Sequence, residues 1–225
     1  MPGTAARSGL TLVIGDKNLS SWSLRPWHVL TEAGIPFQEV LIRLDRPDTR
    51  ARILEHTPSG KVPCLIEGDI AVWDSLAIAE HLNERFPETG LWPADRHARA
   101  MARSIAAEMH SSFAALRRAL PMDFTGRGLA ATITPEVAAD ITRIVAIWKA
   151  ARALQGPAAS GPFLFGRSSI ADAMYAPVVS RFTSYAVDLA KFGDDGTAES
   201  YRAAMMATAT MKAWGKGAAG EVAGG

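Results

Sequence analysis

The sequence predicts a small α/β unit followed by an all-helical region, and three observations carry that reading. Short apolar runs alternate with helical patterns through the first third of the chain. A stretch with two prolines and a glycine, PETGLWPADRH (87–97), then breaks the pattern. Beyond it the strand signals stop, and long Ala-rich segments of helical period take over.

Each element has its own warrant. LTLVI (10–14) is short, partly β-branched and stopped by Gly15-Asp16, so it reads as a buried strand. From Ser23 to Ala33 the apolar residues Leu24, Trp27, Val29 and Leu30 fit a helix, ended by Gly34. Pro26 fits that helix only near its first turn, where a missing N–H is not needed. IPFQEVLIRL (35–44) gives a second strand with Phe37, Val40 and Ile42 facing inward, and DTRARILEH (48–56) a short helix or turn. VPCLIEGDIAVW (62–73) reads as a hairpin around Glu67-Gly68-Asp69. SLAIAEHLNERF (75–86) follows as an amphipathic helix closed by Pro87. Segments 97–120, 135–154 and 170–189, with a shorter pair over 198–214, complete the helical region. The tail GKGAAGEVAGG (215–225) carries too little apolar surface to stay ordered on this reading.

Composition excludes several classes of function. Hydrophobic residues at 48% and charged residues at 21% support a real core. A net charge of +1 with both signs interspersed gives no electrostatic case for nucleic acid or an anionic membrane. Cys64 is the only cysteine, which rules out an intrachain disulfide and a Cys-rich metal site. The five histidines form no His-x-x-x-His pair, so no metal is expected. No run approaches the roughly 20 apolar residues of a membrane span, and MPGTAARSGL lacks the apolar run of a secretory signal. A soluble cytoplasmic protein is the expectation.

Three short motifs carry chemistry. Ser20-Ser21-Trp22-Ser23 stands at a helix start, where serine most often caps but can also present a hydroxyl and unpaired N–H groups to a ligand. Val62-Pro63 opens the hairpin, either as an ordinary strand start or as a backbone edge for an extended peptide. Asp74-Ser75 opens the next helix, either as a cap or as a pair suited to an ammonium and a carboxylate. Ser169-Ile170-Ala171-Asp172 is a capping box with a structural role.

KVPCLIEGDIAVWDSLAIAEHL (61–82) resembles the glutathione-binding segment of cytosolic glutathione transferases, where a Val-Pro dipeptide opens a hairpin and an acidic-Ser pair the next helix. SSWSLRPWHVL (20–30) resembles the zeta-class stretch Ser-Ser-Cys-Ser-Trp-Arg-Val-Arg-Ile-Ala-Leu, and SIADAMYAP (169–177) the family's capping box. The resemblance implies a thioredoxin-like glutathione-binding domain (10–86), a linker (87–96) and an α-helical bundle domain (97–214). Residues 1–9 and 215–225 are then a disordered N-terminus and tail.

It also implies site residues. Ser20 aligns with the thiol-activating residue, with Ser21 as its backup, and Arg25 with an Arg that adds positive potential. A free thiol has a pKa near 8.5, so a hydroxyl aimed at the sulfur would favour the reactive thiolate. Val62 before a cis Pro63 would pair with the cysteinyl backbone, Asp74 and Ser75 with the γ-glutamyl end, and Lys61 with the glycine carboxylate. Trp22 replaces the zeta-class Cys beside the glutathione, which argues against maleylacetoacetate isomerisation. Met109, His110 and Phe113 are the candidates for an acceptor pocket, although a lone His on a helix more often packs or faces solvent. The implied function is transfer of glutathione, the co-substrate, to a small hydrophobic electrophile by a homodimer without other cofactor. Isomerase or peroxidase chemistry uses the same thiolate, and a non-catalytic binding or scaffolding role is the alternative from another class.

Overall fold

In the computed structural model, which describes residues 9–154 and 161–224, a four-stranded sheet with its helices is followed by six further helices. The expected disordered stretch 1–9 lies outside the described residues except for Gly9, and so does residue 225 of the tail. Strands β1 (Leu10–Ile14), β2 (Gln38–Leu41), β3 (Cys64–Glu67) and β4 (Ile70–Trp73) run in the order β2-β1-β3-β4. Only the β1–β2 pair is parallel, joined through helix α1 (Ser21–Glu32) as a parallel crossover requires.

The period of two decides which side each residue serves. Leu10, Leu12 and Ile14 of β1 pack toward α1 and α3 (Ser75–Arg85) in the main core. Val13 points the other way, into a smaller cluster with Ile42, Ile53 of α2 (Thr49–Leu54) and Cys64. The three residues expected to face inward do so on opposite faces, Phe37 with the main core and Val40 and Ile42 with the smaller one. Cys64 is fully buried, a small apolar filler whose thiol pKa burial pushes up.

Helix α1 starts at Ser21, two residues before its expected start, so Pro26 falls beyond the first turn and removes the N–H that would bond to the Trp22 carbonyl. The expected single helix over 97–120 is two, α4 (Arg96–Ser111) and α5 (Ala114–Ala119). They divide at Phe113, which takes a left-handed φ of 65°. The segment between the sheet and α4 is packed rather than loose: Leu91 and Trp92 are buried, and the Leu91 carbonyl accepts from Ile170 N at 2.9 Å.

Helix α7 (Ile170–Ser184) is the axis of the molecule, with α1, α4 and α8 (Thr197–Ala207) packed against it. Trp148 of α6 (Pro135–Ala153) stacks against Tyr175, Phe182 and Tyr201 at ring separations of 5.8, 5.6 and 4.8 Å. At the start of α7, Asp172 accepts from Ser169 N (2.9 Å), Ser169 Oγ (2.9 Å) and Leu164 N (3.0 Å). It therefore ties down the preceding segment as well as capping the helix.

The tail reading is corrected. Residues 215–223 belong to helix α9 (Ala209–Ala223), which begins at the Thr208 cap. Its three interior glycines (215, 217 and 220) each cost about 1 kcal/mol relative to Ala, but two of them are required by close approach. A Cβ on Gly215 would lie 2.8 Å from Phe124, and one on Gly217 2.6 Å from the Lys17 side chain. Buried Trp214 donates Nε1–H to the Lys17 carbonyl (2.8 Å), and Glu221 accepts from Lys17 N (2.7 Å). Tertiary contacts to the β1–α1 loop offset the poor local propensity.

Candidate functional site

The β1–α1 loop sets the first part of the site. Ser20 caps α1, its Oγ accepting from Ser23 N (3.4 Å) and donating to Ser23 Oγ (2.8 Å). Ser23 Oγ in turn accepts from Gly15 N at 3.0 Å, which closes the loop on the end of β1. Ser20 and Ser21 are both buried, and Ser21 Oγ makes no hydrogen bond among the described residues. The structure thus commits the Ser20 proton to Ser23 and leaves that of Ser21 uncommitted.

The second part is the turn into β3. The Val62–Pro63 bond is cis, and Val62 N–H and C=O take no backbone partner among the described residues. They form an open edge beside the sheet, the kind of edge that an extended peptide backbone can extend. The third part is the start of α3. Asp74 holds φ 80° and ψ 132°, a region that a non-glycine residue enters at a cost of about 1–3 kcal/mol. Its Oδ1 accepts from Leu76 N (2.9 Å) and Ala77 N (3.2 Å), while Oδ2 meets His110 Nε2 at 3.1 Å. Ser75 beside it is almost wholly buried.

These parts share one cleft of about 550 Å³, lined by Trp22, Ser59, Lys61, Val62, Pro63, Trp73, Asp74, Ser75 and His110. Six of the expected glutathione-side residues meet there, with His110 opposite. Ser20 and Ser21 are not among the lining residues. Met109 and Phe113 are corrections: both are buried in the core, because their positions on α4 and at the α4–α5 break turn them inward. A larger hollow of about 1060 Å³ lies between α6 and residues 192–200, but its Lys149 is already held by Asp195 (2.9 Å) and the Gly193 carbonyl (2.9 Å).

Beneath the cleft lies a group of arginines. Arg25 is fully buried, with its guanidinium 4.1 Å from the Trp22 ring and Nη1 donating to Ser75 Oγ at 3.4 Å. Among the described residues its Nε and Nη2 are buried without a partner, and so are Nη1 of Arg117 and Nη1 of Arg181. Arg117 also stacks on Trp22 at 4.8 Å and holds the ends of α4 through the Ser112 and Met109 carbonyls. Burial, then the charges of Arg117 and Arg181, pull the Arg25 pKa well below its ordinary value, while Asp74 opposes this. Burial and Arg117 bring Arg181 down to about 10. Net positive charge is therefore held under the cleft at a desolvation cost.

Sequence reasoning missed Ser59 and Trp73 as lining residues of the cleft, and Arg117 as the cation packed on Trp22. Arg117-Arg118 read as a solvated face, and only Arg118 is exposed. Nothing in the local pattern marks the difference, which depends on how α5 turns after Phe113.

Comparison with known proteins follows the same geometry. The model of the glutathione S-transferase N-terminal domain matches residues 19–85. A zeta-class glutathione S-transferase of Euphorbia esula is 32% identical over 108 residues, 48% of this chain and 48% of that protein. Residues 19–85 are thus similar to the N-terminal domain of glutathione S-transferases. Another relative in sequence, a dichloromethane dehalogenase of Methylorubrum extorquens, is 35% identical over 63 residues, 27% of this chain and 22% of that protein. The chain thus spans less than half the length of these curated relatives. The glutathione transferase fold extends over most of the chain: a Burkholderia glutathione transferase homolog with bound glutathione superimposes with TM-score 0.65 at 24% identity, covering 92% of this chain and 96% of that one.

Proposed function

We propose that the cleft binds glutathione and that the protein joins the glutathionyl group, through its sulfur, to a small hydrophobic electrophile. The observation that carries this reading is the convergence of Lys61, Val62, Asp74 and Ser75 on one cleft. Glutathione offers a glycine carboxylate, a cysteinyl backbone, an ammonium and an α-carboxylate in a matching order. The Asp74 carboxylate suits the ammonium, and the Val62 backbone edge suits the cysteinyl peptide. Arg25 behind Ser75 adds positive charge where the α-carboxylate would sit.

The thiolate is the reacting group, and its negative charge is favoured by the arginines under Trp22 and by the N-terminus of α1. It attacks the electrophilic carbon, forming a carbon–sulfur bond as the leaving group departs with its electron pair. Because charge develops on the acceptor as well, the same arginines favour electrophiles that become anionic during attack. No cofactor beyond glutathione enters this scheme. We place the protein in the cytoplasm as a homodimer joined along the β4 side, where Ile70 and Trp73 are exposed.

A non-catalytic binding role stands as the second reading, favoured by one observation: the Ser20 hydroxyl donates to Ser23, and neither serine lines the cleft. Calorimetric titration of glutathione into the wild type, Ser20→Ala and Ser21→Ala, with conjugation of a chloronitrobenzene electrophile followed alongside, separates the two. The transferase reading expects all three to bind and at least one serine variant to lose roughly 10²-fold or more in turnover. Binding without measurable turnover in the wild type would leave the binding role, and absence of binding would remove both.

A further inference from the structure

We infer that His110 is a positioning residue for the ammonium end of the peptide: from the helical domain it fixes the Asp74 carboxylate in the orientation that receives an α-ammonium group. The inference rests on the glutathione reading and deepens it, because it assigns part of that half-site to the second domain.

The geometry begins with Asp74. Its left-handed backbone brings the side chain over the start of α3, where Oδ1 is held by Leu76 N and Ala77 N. A carboxylate pinned at one oxygen still has freedom at the other, and the Asp74 side chain is 43% exposed. His110 removes that freedom. Its Nε2 lies 3.1 Å from Oδ2, a contact at ion-pair distance that sets the second oxygen against the helical domain. With both oxygens held, one face of the carboxylate stays directed into the cleft that Asp74, Ser75 and Val62 share.

The imidazole is itself held in place. The Trp22 ring meets it edge-on at 5.4 Å with the planes at 81°. His110 sits in the last turn of α4, whose final carbonyls Arg117 braces. The other ring nitrogen, Nδ1, is buried without a partner among the described residues, so the contact with Asp74 is the ring's one close polar approach there. Asp74 is thus positioned from two directions, by α3 of its own domain and by α4 of the other. The local sequence around Asp74-Ser75 contains only the first.

The test uses two ligands, glutathione and its analogue lacking the α-amino group, titrated calorimetrically into the wild type, His110→Ala and His110→Gln. The glutamine side chain keeps an N–H donor near the position of Nε2. If His110 acts through Asp74 on the ammonium, His110→Ala weakens glutathione about tenfold, the scale of one close contact to a charged group. The same variant leaves the deaminated analogue within about twofold of the wild type, and His110→Gln recovers most of the glutathione affinity. Equal losses for both ligands, or no loss for either, would overturn the role of His110 while leaving the glutathione reading in place. A wild type that binds neither ligand would remove the glutathione reading, and this inference with it.

Discussion

Two buried charged groups in this molecule are treated in opposite ways. Asp172, at the start of α7, is surrounded by donors: three N–H or O–H groups point at its two oxygens. Arg25, Arg117 and Arg181 leave four guanidinium nitrogens buried without a partner among the described residues. A buried charge that serves only the fold is saturated, because an unmet hydrogen bond costs about 1–3 kcal/mol. None of the three lines the cleft, so a ligand there would feel their charge through Trp22 and Ser75 rather than bond to them. The ligand that such a charge favours is an anion, and ionised glutathione carries several negative groups.

The comparison can be broken first at its saturated end. Replacing Asp172 by Ala strands the Leu164 and Ser169 N–H groups inside the core. The expected loss is about 4 kcal/mol of unfolding free energy, several times that of an ordinary helix cap, read from chemical denaturation. Glutathione affinity of the folded fraction should not change. A loss near 1 kcal/mol would mean that Asp172 is only a cap.

A second buried group sharpens the contrast through pH. His28 on α1 is fully buried with neither ring nitrogen partnered among the described residues, and burial lowers its pKa from 6.5 to about 4 despite an opposing pull from Glu32. The unfolded chain therefore takes up the proton first. The His28 contribution is at its full value above pH 6.5, is lost as pH drops toward 4, and amounts to about 3 kcal/mol over that window. Asp172, raised to about 6 by burial, pulls the other way, so the His28 slope is read as the difference between the denaturation curves of the wild type and His28→Phe across the window.

The smallest expected effect on stability comes from the unsaturated end. Arg25→Met keeps the volume and removes an incompletely paired buried charge. Unfolding free energy should stay within about 1 kcal/mol of the wild type or rise, because apolar replacement of buried charge is often neutral or favourable. The loss should appear in the bound ligand instead.

Much of this was legible in the sequence because it rests on local signals. The hairpin, the α3 start at Asp74-Ser75 and the box at Ser169–Asp172 follow from period, caps and turn residues. What escaped depends on distant partners. The glycine-rich end of α9 looks unable to hold a helix until Phe124 and Lys17 are seen to need those glycines. Arg117 looks solvated until the break at Phe113 turns α5 toward Trp22. The order of Val62-Pro63 and Asp74-Ser75 anticipated one cleft. It did not anticipate that Met109 and Phe113 would turn into the core while His110 reached back to Asp74.

The most direct test of the central claim is the ionisation of bound glutathione. The absorbance of its thiolate would be titrated against pH in complexes of the wild type and of Arg25→Met. The account expects the bound thiol to ionise well below the free value of about 8.5 in the wild type, and to move back toward that value when Arg25 is lost. An identical ionisation midpoint in the two complexes would contradict it, and would show that the unpaired arginines do not serve the bound anion.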